Sequence, residues 1–466
     1  MSATAGPATV ESIDPATGEV VDTFEIFSAA QIDTALDLSH GAFAPWRRTP
    51  WDRRAELMNG VARELRDAAD ELAHTVSREM GKPITEAFAE VEKCAWAAEH
   101  YAEHGGEFLA PEPIQTGDGR RVAVHKRPLG VVLAIMPWNF PLWQAMRAAA
   151  PIVSAGNCFV LKHASNVTGC GLALERIFER AGAAPGVFKT IVVSGRTASE
   201  LIADRRIAGV TLTGSDAAGV SVGEAAGRAI KPVVLELGGS DPFIVLHDAN
   251  LEQAVATAVT ARFQNTGQSC IASKRFVVVE AVADEFEQRF AEAASSLRRG
   301  APLDPETQLG PMAREDLRDE LAGIVDSSVA AGARVLTGGS IPAEAGAWYE
   351  PTVVSAAAGS EVPVLREETF GPVAAVARVA DETAAIAAAN DSQFGLGCSL
   401  WTTDLDRAEA LSADIEAGMV FVNAMTASDP RIPFGGVKRS GVGRELGGEI
   451  GMRGFLNLQA VALTEG

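Results

Sequence analysis

Residues 130–165 read GVVLAIMPWNFPLWQAMRAAAPIVSAGNCFVLKHAS, and this stretch decides the fold. Two short apolar runs, 131–135 and 158–161, flank a helical candidate at 142–154. Strand, helix and strand at this spacing make a βαβ unit. Neither run alternates with polar residues, as expected of parallel strands covered on both faces. The stretch is not a membrane span, because Pro137, Asn139, Pro141, Arg147 and Pro151 interrupt it.

The alternation continues outward. Apolar runs at 188–193, 209–212 and 233–237 are separated by helical candidates at 167–181, 196–204 and 215–229. A second series follows, with runs at 243–246 and 275–279 and helices at 250–262 and 283–297. The turn Gly239-Ser240-Asp241-Pro242 is a candidate boundary between the two series. On the N-terminal side, Leu57, Val61, Leu65, Ala68 and Leu72 recur at helical spacing within 51–107. Gly117-Asp118-Gly119 then predicts a hairpin over 113–127, and 455–463 alternates weakly enough to be an edge strand. The fold class predicted is α/β.

Composition narrows the partners. Lys and Arg number 40 against 61 Asp and Glu, a formal charge of −21. Such a field repels nucleic acid and anionic membranes, so an anionic ligand needs a local basic pocket. The five cysteines (94, 158, 170, 270 and 398) are odd in number and show no C-x-x-C pair. A disulfide framework or zinc ribbon is therefore not expected. The first residues show neither a basic start nor an apolar core of a signal peptide, so a reduced, cytoplasmic location is expected.

Parallel sheets bind ligands beyond the C-terminal ends of their strands. Attention therefore falls on PWNFP (137–141), KHAS (162–165), TGS (213–215) and LGG (237–239). Cys270, in NTGQSC, sits where a loop re-enters a strand. It is a candidate nucleophile, or else a buried small hydrophobe. Glu236 interrupts a buried-type strand, where desolvation would raise its pKa toward that of a general base; it could equally be a solvated strand end. Lys162 at a strand terminus suits a phosphate or ribose, or solvent. Two further patterns are read as decoys. His100-x-x-Glu103-His104 matches a zinc pattern without an evident third ligand, so no metal is expected. Gly219-x-Ser221-x-Gly223 matches a nucleophile elbow, which needs a strand before it and Asp then His after it, but only His247 lies downstream.

Taken together, PWNFP (137–141), LK-x-A-S (161–165), TGS (213–215), LELGG (235–239), GQ-x-C (267–270), EE-x-FGP (367–372) and PFGG-x-K-x-SG-x-G-x-E (433–445) resemble the aldehyde dehydrogenase superfamily. With SREMGK (77–82) the likeness covers nearly the whole chain, and it is strongest to the bacterial NAD(P)-dependent succinate-semialdehyde dehydrogenases.

The resemblance implies three parts. These are a Rossmann-type cofactor domain (1–112 and 128–238), an α/β catalytic domain (239–446) and a small β oligomerisation element (113–127 and 447–466), in a homodimer or homotetramer. It implies Cys270 as nucleophile, Asn139 as oxyanion donor, Glu236 as activator of the hydrolytic water and Lys162 as ligand of the cofactor ribose. Glu368 would hold the nicotinamide ribose with Phe370 beside the ring. Met136, Trp138, Gly214, Ser215 and Leu237 would line the groove. NAD-preferring relatives carry Glu where this chain has Ser165, so NADP should be accepted alongside NAD.

For the substrate, Arg147 stands where semialdehyde enzymes grip a distal carboxylate, but it could instead be a structural helix arginine. A second arginine of some relatives is replaced by Gln264, and Ser428 or Arg431 could complete the anion site. Succinate semialdehyde is the expected aldehyde. Glutarate semialdehyde, another aliphatic or aromatic aldehyde, and a thiol esterase without redox activity stay open. No cysteine adjoins Cys270, so no local disulfide switch is expected.

Overall fold

The computed structural model describes residues 8–464. The quoted stretch forms the strand Val131–Met136, the helix Pro141–Ser154 and the strand Cys158–His163, the two strands pairing in parallel from Val131–Cys158 to Met136–His163. Pro141 starts the helix at a position where a missing N–H costs nothing. Every residue of this helix is buried, which explains its apolarity on all sides.

These strands lie inside a six-stranded sheet. Its order is Gly441–Val442, Val233–Glu236, Ile207–Thr213, Val131–Met136, Cys158–His163 and Phe188–Thr190. The neighbours pair in parallel except for Gly441–Val442, an antiparallel edge supplied from far along the chain. The 188–193 run is strand only to Thr190 and then turns into a loop. The region 51–107 is three helices, Trp51–Asp67, Ala69–Met80 and Ile84–Phe108, rather than one. Gly81 ends the second at φ 81°, a left-handed stop that favours glycine.

The second series forms a seven-stranded sheet. Its order is Arg334–Thr337, Thr352–Ala357, Val373–Val379, Ser273–Val279, Asp241–Val245, Gly397–Trp401 and Met419–Val422, with only the first strand antiparallel. Strand periodicity divides its residues between two cores. Phe243, Val245, Phe276 and Val278 pack with Phe286 and Phe290 on one face. Ile244, Leu246, Val277 and Val279 pack with Ala385 and Ala408 on the other. Truncating Phe276 to alanine in such a core costs about 3–5 kcal/mol.

The hairpin Glu112–Ile114 and Arg121–Pro128 gains a third strand from this chain's own tail. Leu456–Leu463 runs antiparallel along the whole of Arg121–Pro128. Two strands alone are marginal, and the tail supplies the further pairing from within the same chain. The elbow-like Gly219–Gly223 segment lies inside the helix Asp216–Arg228. A Cβ at Gly219 would sit 2.5 Å from Leu237, so this glycine lets helix and strand approach.

Candidate active site

The nucleophile loop is built from strain held by hydrogen bonds. Asn265 (φ 54°), Thr266 (φ 55°) and Gly267 (φ 71°) are consecutive left-handed residues just before Cys270. Such a backbone costs roughly 1–3 kcal/mol for each non-glycine residue and persists only where its surroundings fix it. Here the Asn265 backbone N–H donates to Glu86 (2.7 Å), and its amide donates to the Asn139 carbonyl (2.7 Å) and the Gln268 carbonyl (3.0 Å). Thr266 donates to the Gly310 carbonyl (3.2 Å), and Gln268 accepts from the Ala313 N–H (2.8 Å). The Arg262 guanidinium beneath donates to the Thr369 carbonyl (2.8 Å) and to that of Gly371. Asn265 and Gln268 were not singled out from sequence. The only signal was the Asn-Thr-Gly turn composition.

Cys270 is half-buried and free, whereas Cys94, Cys158, Cys170 and Cys398 are buried. Burial pushes its thiol up to about 11, with Arg147 and Lys274 pulling it back. At neutral pH the thiol is therefore protonated until something removes its proton. The buried Lys274 donates to the carbonyls of Ser269 (2.9 Å) and Cys270 (2.8 Å) and stands 3.4 Å from Glu368. Asn139, also buried, donates its amide to the Gln268 carbonyl at 3.0 Å. One amide nitrogen carries two hydrogens, so a second donor position is available beside the thiol.

Two cavities meet at Cys270. The first, about 430 Å³, is walled by Trp138, Gly214, Ser215, Leu237, Glu368 and Phe370. Phe370 stands edge-on to Trp138, their rings 5.6 Å apart. Glu368 accepts from the Gly239 N–H at 3.0 Å. Ser215 caps the helix Asp216–Arg228 through the Ala218 N–H. Further along the same sheet, Lys162 and Ser165 wall a cavity of about 330 Å³. Burial lowers the Lys162 pKa, and among the described residues its ammonium has no acceptor. An unpartnered ammonium and a hydroxyl at one end, with aromatic and carboxylate walls at the other, fit a nicotinamide dinucleotide laid across strand ends. Met136 is buried and walls neither cavity.

The second cavity at Cys270, about 340 Å³, is walled by Trp143, Arg147, Gln264, Ile271, Ser428 and Phe434, among others. Arg147 is buried. It donates Nε to Glu445 (2.5 Å) and one Nη to Thr213 (3.1 Å), and its guanidinium lies over the Phe434 ring at 4.3 Å. Arg147 is therefore a partner in a buried ion pair and also a wall of this cavity. Ser428 Oγ accepts from Lys93 Nζ (2.8 Å) and from the Trp143 indole (3.1 Å). Arg431 is exposed, paired with Asp429 (2.6 Å) and laid over Trp96, and it is not a wall.

Glu236 is buried and walls neither cavity at Cys270. Both of its carboxylate oxygens lack a hydrogen-bond partner. Burial, with the neighbouring Glu445 adding repulsion, raises its pKa well above the ordinary carboxylate range, against the pull of Arg147 and Arg444. Its surroundings thus favour the protonated form over the charged one. The His100 and His104 rings lie 4.9 Å apart on one helix, tilted at 56° to each other. Among the described residues no cluster of three or more His, Cys, Asp or Glu side chains could hold a metal ion.

The chain is similar to known proteins along nearly its whole length. The family described as "Aldehyde dehydrogenase family" matches residues 2–461. A succinate semialdehyde dehydrogenase of Escherichia coli K12 using NAD(P)+ is 49% identical over 450 residues, covering 97% of each chain. An NADP+ succinate-semialdehyde dehydrogenase of Mycobacterium avium is 47% identical, covering 97% of this chain and 96% of its own. The solved succinic semialdehyde dehydrogenase of Streptococcus pyogenes with NADP+ superposes at a TM-score of 0.95, with 36% identity, over 98% of this chain and 100% of its own. The chain belongs to the aldehyde dehydrogenase family and is an NAD(P)-dependent oxidoreductase.

Proposed function

We propose that this protein oxidises succinate semialdehyde to succinate, with NADP accepted at least as well as NAD. The observation that carries the reading is the placement of Cys270 where two cavities meet, one suited to a dinucleotide and the other ending at Arg147 and Ser428. The names of the relatives from E. coli and M. avium support the same substrate. Ser165 at the cavity of Lys162 leaves room for a 2′-phosphate and brings no carboxylate to repel it.

An aldehyde has no leaving group, so its carbon must become tetrahedral before hydride can depart. The Cys270 sulfur makes it so by adding to the carbonyl as a thiolate, its proton having passed to solvent water. Asn139 donates to the resulting oxyanion, a contact typically worth about 3 kcal/mol. A nicotinamide bound in the first cavity would supply the hydride acceptor. Lys162 and Glu368 would hold the two riboses, with Trp138, Phe370, Gly214, Ser215 and Leu237 bordering the dinucleotide and Met136 behind it. The sulfur then carries a thioester, and Glu236, once ionised, takes a proton from the water that releases the acid. This last role requires the buried carboxylate to turn from its present position toward the sulfur, or to act through water.

The three-stranded sheet exposes Ile114, Leu458 and Leu463, which supports its reading as a subunit contact in a homodimer or homotetramer. The division into 1–112 with 128–238, then 239–446, follows the two large sheets, with Gly441–Val442 crossing back to the first. No described helix is long and apolar enough to cross a membrane, which is compatible with the cytoplasmic location we propose. The deciding experiment is an aldehyde panel with both cofactors. Succinate semialdehyde should give the highest kcat/KM, above glutarate semialdehyde, butanal and benzaldehyde. Hydrolysis of an ester substrate with no aldehyde-dependent nicotinamide reduction would instead support an esterase.

A further inference from the structure

The charges around the substrate cavity do not balance in the way Arg147 alone suggests. Its guanidinium is already matched by Glu445 at 2.5 Å. Glu90, another wall, is matched by Lys82 and accepts the N–H groups of Leu142 (2.8 Å) and Trp143 (2.9 Å). Glu86, at the catalytic-loop end, accepts the Asn265 N–H, and burial raises it to about 7. Lys93 remains. It follows Glu86 by seven residues on the helix Ile84–Phe108, hence on the same face and about 10 Å along it. It also walls the cavity. Among the described residues its ammonium has no carboxylate within ion-pairing reach. Its contacts are the Ser428 hydroxyl at 2.8 Å and the face of the Trp143 ring at 4.6 Å.

A cation in this setting is poised for an anion. Burial and the nearby Arg147 lower the Lys93 pKa to about 8, with Glu90, Cys94 and Asp429 acting the other way. An incoming carboxylate would supply the missing countercharge and hold the ammonium protonated. Because Lys93 donates to Ser428, the serine hydroxyl is left free to turn its own proton toward the same anion.

We propose that Lys93 is a specificity-determining residue, supplying the uncompensated positive charge that binds the distal carboxylate of the substrate, with Ser428 beside it. Arg147 then acts mainly through Glu445 and as a cavity wall. This rests on the reading that the substrate carries a carboxylate.

The test compares succinate semialdehyde with butanal, which has the same chain length without the charge, in wild type, K93Q and K93R. The ratio of their kcat/KM values is the readout. In K93Q the preference for succinate semialdehyde should fall about 30-fold, a loss typical for removing a charged partner. K93R should restore much of it. Succinate, tested as an inhibitor of butanal oxidation, should likewise weaken in K93Q. This gives a readout without turnover of the charged substrate. If wild type prefers succinate semialdehyde and K93Q keeps that ratio and the succinate inhibition, the assignment of Lys93 is wrong while the substrate reading stands. If wild type shows no preference over butanal, the substrate reading fails, and the assignment with it.

Discussion

The two cavities that meet at Cys270 are made in different ways. The dinucleotide side is built from loops that follow parallel strands: Pro137–Trp138 after Val131–Met136, Gly214–Ser215 after Ile207–Thr213, and Leu237–Gly238 after Val233–Glu236. These three loops obey one topological rule, and Glu368 and Phe370 join them from farther along the chain. The substrate side is built from helix faces and a distant loop. Arg147 meets a glutamate 298 positions away, and Lys93 meets a serine 335 positions away. One side is a property of the fold, and the other is a property of this particular chain. Changes on the first side should therefore affect every aldehyde, and changes on the second should discriminate among them.

The largest expected effect lies at the junction. Replacing Cys270 by serine should lower aldehyde oxidation by about 10⁵-fold or more for every substrate, because the nucleophile serves both sides. Acid formation with an excess of cofactor checks this. Next, Glu236→Gln should lower steady-state turnover about a thousandfold while keeping one rapid round of cofactor reduction. The pH dependence has a definite sign. The Glu236 pKa is raised by burial and by Glu445, and only the ionised form can take a proton from water. Turnover limited by thioester hydrolysis should therefore rise with pH as Glu236 ionises. Glu445→Gln removes the repulsion, so it should shift that rise to lower pH.

Asn139→Ala should cost about a hundredfold in kcat/KM, equally for charged and neutral aldehydes, since the oxyanion is the one part of the substrate that its amide serves. An unequal loss would mean that Asn139 belongs to the substrate side. The smallest effect is Ser165→Glu, which should reduce the NADP-to-NAD ratio of kcat/KM by about tenfold through like-charge repulsion, leaving the aldehyde preference alone. A changed aldehyde preference would blur the distinction between the two cavities.

The contrast also explains what could be seen in the sequence. The βαβ alternation and the polar residues at strand ends follow local rules, so Lys162, Gly214, Ser215 and Cys270 are legible in the sequence itself. Glu236 stood out because a carboxylate interrupts an apolar strand. Lys93 did not. On its helix it reads as one more cation among glutamates, and its role depends on Ser428 packing against it from the far end of the chain. Arg147 was visible but ambiguous for the same reason, since Glu445 decides how its charge is used. Asn265 and Thr266 were hidden because their left-handed backbone is imposed by Glu86, Asn139 and Gly310 rather than by their own preferences.

The central claim is that one sulfur becomes acylated between the two cavities. It is tested by mixing the E236Q variant with succinate semialdehyde and NADP, quenching in acid and mapping the protein by mass spectrometry. The account predicts a succinyl thioester on the peptide 263–274, carried by Cys270, in proportion to the NADPH formed in the first turnover. NADPH formed in full with that peptide unmodified, or with the acyl group on another residue, would contradict it.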